Sequence, residues 1–445
     1  VTKADILRIV EEQGIELVRF LYIDNDGVTR GYSAHRNSLE GDLDSGHAFA
    51  RVMPVFSALD TLVPGSRYGC VGEVRGKPDL DTFRILPYAP GAAALICDFT
   101  DLNHKPLELC ARSILKRVLE GSPYKVNACY ENEFYFMKTG GSGEVLPFDS
   151  SLCFATPGMN NTHDVVLEIT RALESQGMVV EKHYPEYGPG QQELIIRYDG
   201  ALRAADNQVF FKETVKGVAS KHGIKASFMP KPFPGRAGSG AHLHVSLWDG
   251  DTNLFYDPAR DFNLSEMARY FTGGVLKHIR GLCAFTASIV TSYKRLVPHN
   301  WASAYACYGP DNREAAVRVV SGQKGRENKT VNLEFKPIDG ACNPYLALAA
   351  LLVAGFDGIE NRIDPGDPAL TDPHDLTGQE KEERGIRRLP ETLAEAARAL
   401  SEDPLFREKM GDVLVDEYVL AKVFQWNEYN SQITPWEVQH YAEVF

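Results

Sequence analysis

Two histidines and a serine alternate with apolar residues in the run Gly240-Ala-His242-Leu-His244-Val-Ser246-Leu247. In an extended chain this spacing puts His242, His244 and Ser246 on one face and Leu243, Val245 and Leu247 on the other. Ala128 to Phe136 repeats the pattern, with Glu131, Glu133 and Tyr135 opposite Asn132, Phe134 and Phe136. Asn332 to Lys336 repeats it again, with Glu334 and Lys336 opposite Leu333 and Phe335. A fourth stretch, His183 to Glu193, adds Glu186 and Glu193 beside a glycine-rich bend. A polar face on one strand is ordinary where a sheet meets water. Convergence of all four segments would be different, because five carboxylates and a histidine in one cleft are prohibitively costly without counter-ions. Divalent cations neutralise such a cluster, and an oxygen-dominated donor set favours magnesium or manganese over zinc.

Arginines gather nearby in sequence: Arg295 in Tyr293-Lys-Arg-Leu-Val-Pro298, then Arg313 and Arg318 in Asn312 through Arg318. An isolated arginine is usually a surface ion-pair partner. Beside a metal cluster, the same side chains are candidates to hold a transferring phosphate and a substrate carboxylate. The loop Gly235-Arg-Ala-Gly238-Ser-Gly240 is glycine-rich but is neither a Walker sequence nor a dinucleotide fingerprint.

The elements that must position these residues are legible in outline. Thr2-x-x-Asp5 reads as a capping box opening a helix that Gly14 closes, followed by a strand from about 15 to 23. Asp24-Asn-Asp26-Gly27 lacks the further acidic positions of a calcium loop and reads as a hairpin turn. Residues 107–119 have helical apolar spacing, and Asn343-Pro344 caps an apolar helix reaching about Gly355. Residues 364–388 read as an exposed excursion before two C-terminal helices. Strands and helices alternate without a βαβ repeat, so the fold class expected is α+β, with a domain of residues 1–100 and a second of 101–445.

At 445 residues with 44% hydrophobic and 24% charged residues, the chain can bury a large core. Its formal charge of −13 disfavours nucleic acid and anionic membranes as partners. The longest apolar run, Leu346 to Val353, is too short to span a bilayer, and no secretory signal opens the sequence. Eight scattered cysteines without a Cys-x-x-Cys pair read as free thiols of a cytoplasmic protein.

Taken in order, these motifs resemble the glutamine synthetase family over nearly the whole chain. Glu131-Asn-Glu133 is similar to its paired-glutamate strand and Glu181 through Glu193 to its acidic segment. Phe228 through Leu247, Tyr293 through Pro298, Asn312-Arg313 and Asn343-Pro-Tyr-Leu complete the series. The resemblance implies a small N-terminal β-grasp domain and a large catalytic domain whose antiparallel sheet lines the active site. It implies two or three magnesium or manganese ions, one held by Glu133, Glu186 and Glu193 and another by Glu131, His242 and Glu334. Glu181, Tyr198, His244 and Ser246 would surround ATP, Gly238 and Arg295 would hold glutamate, and Arg313 and Arg318 would face the phosphates. The implied chemistry is ATP-dependent ligation of the glutamate γ-carboxylate to an amine through an acyl phosphate. The implied assembly is a homo-oligomer of two stacked hexameric rings, with active sites between subunits.

The sequence departs from the family pattern mainly on the amine side. After Arg-Leu-Val-Pro the family continues Gly-Tyr-Glu-Ala-Pro, whereas here His299-Asn-Trp301-Ala-Ser303 puts Trp301 in the glutamate's place. Lys336 and Asn332 replace arginines, and Ala237 stands where an asparagine is common. The family's Phe-Asp-Gly-Ser-Ser is absent. Asp60 is taken as the replacement for its proton-accepting aspartate, with Glu73 as another carboxylate. Retained phosphoryl machinery with a remodelled amine side predicts an organic primary amine as substrate, with Trp301 and Lys336 among the substrate contacts. The rival expectations are an ordinary ammonia-using enzyme and a silent family member acting as a sensor or assembly subunit.

Overall fold

The capping box forms as predicted. The Thr2 hydroxyl accepts from the Asp5 N–H at 3.2 Å and the Asp5 carboxylate accepts from the Thr2 N–H at 3.0 Å, starting helix Lys3–Glu12. In this computed structural model, which describes residues 1–445, five strands follow that helix. They are β1 (Leu17–Ile23), β2 (Thr29–His35), β3 (His47–Ala50), β4 (Glu73–Ile85) and β5 (Ala92–Thr100). Their order is β2-β1-β5-β4-β3, with β1 parallel to β5, and this is the expected β-grasp sheet. Ile6 and Val10, one helical turn apart, share a small core with Val18, Phe20 and Leu95 of that sheet.

The Asp24–Gly27 turn is a hairpin, with Ile23 opposite Thr29 and Gly27 at a φ of 90°. Its aspartates point into the protein and hold cations of the protein. Asp24 accepts from Arg30 Nε at 2.7 Å, and Asp26 accepts from the buried Lys422 Nζ at 2.6 Å. The turn also seats against the chain before the helix Pro344–Glu360, since a Cβ on Gly27 would lie 2.3 Å from the Ala341 carbonyl.

A second sheet begins with β6 (Lys125–Thr139), β7 (Val180–Pro185) and β8 (Gln191–Ile196). It continues through β9 (Ala241–Asp249), β10 (Tyr305–Pro310), β11 (Ala315–Val320), β12 (Asn332–Phe335) and β13 (Arg387–Arg388). The main path of this twelve-stranded sheet is β13-β10-β11-β12-β9-β6-β8-β7. Strands β12, β9, β6, β8 and β7 are antiparallel as expected, whereas β10 and β11 run parallel, so the sheet as a whole is mixed. Leu243, Val245 and Leu247 are buried on the apolar face of β9, as alternation requires. They join one continuous core with residues of helices Ala201–Lys221, Glu266–Thr286 and Pro344–Glu360. Asn343 caps the last of these, its side-chain oxygen accepting from the N–H groups of Tyr345 and Leu346.

Three expectations need adjusting. The helix read at 107–119 starts at Ala111. The excursion at 364–388 is pinned to the protein, because β13 pairs with Tyr305 and Ala306 and Ile386 is buried. Four helices follow it, not two: Leu393–Glu402, Pro404–Met410, Asp412–Asn430 and Pro435–Tyr441. The breaks have local causes, with Asp403 capping a helix that starts on Pro404 and Gly411 taking a φ of 112°.

Candidate active site

Strand register assembles the site. His242 on β9 lies opposite Glu131 on β6, Glu193 on β8 lies opposite Glu133, and Glu334 on β12 lies opposite His244. Side chains on one face of neighbouring strands stand close together, so these pairings draw the polar faces into one cluster. The donor atoms of Glu131, His242 and Glu334 lie within 4.8 Å of one another. His242 Nδ1 is 3.4 Å from Glu334 and 3.8 Å from Glu131. Beside them, Glu133 is 3.7 Å from His242 Nε2. Glu186 follows the end of β7, accepts from the Tyr187 N–H at 2.8 Å, and lies within the electrostatic reach of Glu133 and Glu193. The structure thus brings together all six residues predicted to bind metal.

The electrostatics explain what this cluster needs. Burial is the largest influence raising the carboxyl pKa values of Glu133, Glu186 and Glu193, and their neighbours' negative charges add to it. Burial, with Lys336 and Arg295 nearby, pushes the His242 imidazole down to about 4 and keeps it neutral, the form that ligates metal. Lys336 Nζ lies 3.4 Å from Glu334 and 3.5 Å from His242, and Arg318 donates to Glu334 at 2.7 Å. Arg295 Nη2 is 3.3 Å from His242 Nε2 and donates to the Lys336 carbonyl at 3.1 Å. Arg295 Nη1 and Arg318 Nε are buried without partners, which suits anionic ligands such as carboxylate or phosphate. Five carboxylates with one neutral histidine suit oxygen-preferring divalent cations.

The other predicted residues are placed as follows. His244 bridges Asn332, at 2.8 Å, and Glu131, at 3.4 Å. Ser246 shares its face of β9 and accepts from Trp248 Nε1 at 2.8 Å. Glu181 lies on β7 and pairs with Arg197 at 2.8 Å, and Tyr198 is exposed. Gly238 has no room for a side chain, since a Cβ would lie 2.6 Å from Arg295 Cγ. Trp301 is 64% exposed, with the Arg313 guanidinium 5.8 Å from its ring centre. Asp60 is not brought to the cluster within the chain. It is exposed, with its side chain bonded to Arg30 at 3.1 Å and its N–H to Ser57. Glu73 is exposed at the start of β4.

Sequence reasoning missed several functional neighbours. Gln191 donates to Glu133 at 3.1 Å and to the Gly238 carbonyl at 2.9 Å, tying the glycine loop to the cluster. Its position two residues before Glu193 was the available signal. Tyr184 donates to Glu193 from the neighbouring strand. Gly240 donates its N–H to Glu133 at 3.0 Å. Glu314, next to Arg313, accepts from the Trp301 N–H at 2.8 Å, a contact that no spacing rule reveals.

Comparison with known proteins accords with this geometry. The glutamine synthetase N-terminal domain matches residues 4–106 and the glutamine synthetase catalytic domain matches residues 108–441. Glutamine synthetase of Thermotoga maritima is 35% identical over 444 residues, covering 98% of each chain. That of Methanosarcina mazei is 34% identical, covering 100% of this chain and 98% of its own. Among solved structures, an ADP complex of GmaS superposes with a TM-score of 0.86 at 30% identity, covering 99% of both chains. A structure described as a novel glutamine synthase homolog gives 0.84 at 32% identity, covering 97% of this chain and 99% of that one. With both parts of the chain matched and a carboxylate–histidine cluster fit for metal, the protein belongs to the glutamine synthetase family, ATP-dependent carbon–nitrogen ligases acting on glutamate.

Proposed function

We propose that this ligase joins the γ-carboxylate of glutamate to an organic primary amine through a γ-glutamyl phosphate. The observation that carries the reading is Trp301, an exposed indole on the loop where the family pattern has a glutamate. An indole contacts an alkyl or aromatic group, or the ammonium form of an amine, and such a contact contributes about 0.5–2 kcal/mol. Ammonia offers it far less surface. The structural likeness to GmaS, a γ-glutamylmethylamide synthetase, supports this reading. The ammonia-using reading has its own support, since the sequence relatives at 34–35% identity are named glutamine synthetase.

In this reading Glu133, Glu186 and Glu193 hold one divalent ion and Glu131, His242 and Glu334 another. The ions would screen the charge of the transferring phosphoryl group. Arg295 and the close-packed Gly238 hold glutamate, while Arg313 and Arg318 bring positive charge to the phosphates. Glu181, Tyr198, His244 and Ser246 border the nucleotide. Lys336 presents a single ammonium where the family has a planar guanidinium, so its grip on an oxyanion is less directional. Asp60, exposed and bonded to Arg30, would act at a neighbouring subunit's site in a ring of stacked hexamers. Eight free cysteines and no disulfide suit a reducing cytoplasm. The test is ADP release with glutamate and a panel of alkyl, aromatic and polyamine substrates, ammonia included. Higher kcat/KM for an organic amine is expected, and ammonia ranking first would refute the reading.

A further inference from the structure

Ligation to an amine needs a proton acceptor, because the ammonium form that prevails at neutral pH has no lone pair for attack. The side chain on this chain best placed to serve the amine is the one that anchors the Trp301 loop. Glu314 lies between β10 and β11 and is 8% exposed. Its Oε1 accepts from the Trp301 N–H at 2.8 Å, and its Oε2 accepts no hydrogen bond. Its own N–H is held by Asn312 Oδ1 at 3.0 Å, which fixes the base of the side chain. The loop it anchors is unusual, with left-handed φ values at His299, Trp301 and Ser303 of 59°, 51° and 65°. Arg313 reaches toward the Trp301 ring from the next position. The charged and titratable groups whose fields reach Glu314 are Asp372, His299 and Lys336, and Lys336 belongs to the metal-site cluster. Glu314 is therefore held by its own backbone on one side and by the loop carrying the indole on the other.

We propose that Glu314 is the catalytic carboxylate that receives the proton of the incoming ammonium, while its other oxygen holds Trp301 in place. This rests on the amine-ligase reading above. The step is R–NH3+ giving one proton to the Glu314 carboxylate, which becomes a carboxylic acid. The freed nitrogen lone pair forms the C–N bond to the acyl carbon. The bond between the acyl carbon and the bridging phosphate oxygen breaks, its electron pair leaving on that oxygen, and the remaining excess proton on nitrogen goes to the released phosphate. Burial raises the Glu314 pKa, with the Asp372 charge in support and the Trp301 N–H, His299 and Lys336 opposing, so the carboxylate is a better base than an exposed one.

The experiment compares Glu314→Gln, Glu314→Asp and Asp60→Asn in the assembled enzyme with two nucleophiles, the best amine of the panel and hydroxylamine. Hydroxylamine is unprotonated at neutral pH and needs no acceptor before attack. Its turnover also reports that the variant is folded and still forms the acyl phosphate. Glu314→Gln is expected to lose about a hundredfold more kcat/KM on the amine than on hydroxylamine. Its remaining amine rate should climb with pH as free amine accumulates, and Glu314→Asp should recover part of the loss. Equal losses on both nucleophiles would reduce Glu314 to a prop for the loop. A selective loss in Asp60→Asn with none in Glu314→Gln would assign the proton to Asp60 and overturn the proposal. If the wild-type enzyme prefers ammonia, the amine class is wrong, and the same split measured with ammonia still decides the role of Glu314.

Discussion

Gly240 shows how closely the site is packed at single residues. A Cβ there would lie 2.7 Å from both Arg295 Nη2 and His242 Nε2, so any side chain forces the two apart. Gly240→Ala is expected to raise the KM for glutamate about tenfold, as one well-oriented charged contact is weakened. Steady-state kinetics at saturating ATP check this. Glu334 is 1% exposed and answers at once to His242, Lys336 and Arg318. Glu334→Gln would remove a proposed metal donor and leave Arg318 and Lys336 without their carboxylate. Calorimetric titration with manganese should show at least about a tenfold weaker association, and unchanged affinity would remove Glu334 from the ligand set. The clustered residues were legible because alternation marks Glu131, Glu133, His242 and Glu334 and an acidic stretch marks Glu186 and Glu193, while their proposed grouping into two metal sites came from the family resemblance. Glu314 and Gly240 were not legible, since their roles depend on a loop turning back on β11 and on an arginine arriving from another segment.

At the scale of elements, buried ion pairs tie separate elements together, the first sheet to helices of the larger part among them. Lys422 on helix Asp412–Asn430 is fully buried against Asp26 of the β1–β2 turn, which also accepts from the Ala58 N–H at 2.8 Å. Removing one partner of such a pair costs roughly 3–5 kcal/mol, whereas replacing both by apolar groups costs far less. Lys422→Met should therefore lower the melting temperature, and Asp26→Leu combined with Lys422→Met should restore part of it. Arg112 makes a second tie, bonding Asp206 at 2.8 Å, Asp79 at 2.8 Å and Asp98 at 3.1 Å. His278 supplies a pH-dependent one. Burial opposes its protonation, but hydrogen bonds to Asp403 at 2.7 Å and Asp357 at 2.9 Å prevail and raise its pKa. A raised folded pKa gives stability that is full below the unfolded value of about 6.5 and fades as pH rises through the folded value. The melting-temperature gap between wild type and His278→Asn should be widest in mild acid and narrow toward alkaline pH. Capping residues and turns made the first helix, the hairpin and the helix at 344 readable in advance. The pairing of Arg387–Arg388 with β10 was not, because two residues carry no periodic signal.

At the scale of the whole molecule, helix Pro435–Tyr441 buries none of its residues in its own chain. Trp436 is 57% exposed, and Phe445 just beyond it is fully exposed. In the proposed stacked rings, an apolar segment left open in this way would serve as an association surface. Trp436→Asp is expected to shift the solution mass from the full assembly toward a smaller species, as read by light scattering. The folded architecture followed from ordered motifs spread over the chain, while the assembly and the amine depend on surfaces whose partners lie outside it. Competition between nucleophiles decides which amine the enzyme uses. With glutamate, ATP and manganese, equimolar ammonia and organic primary amines are offered together and the products resolved by mass spectrometry. γ-Glutamyl amides of an organic amine are expected in excess over glutamine, and glutamine as the main product would overturn the organic-amine reading.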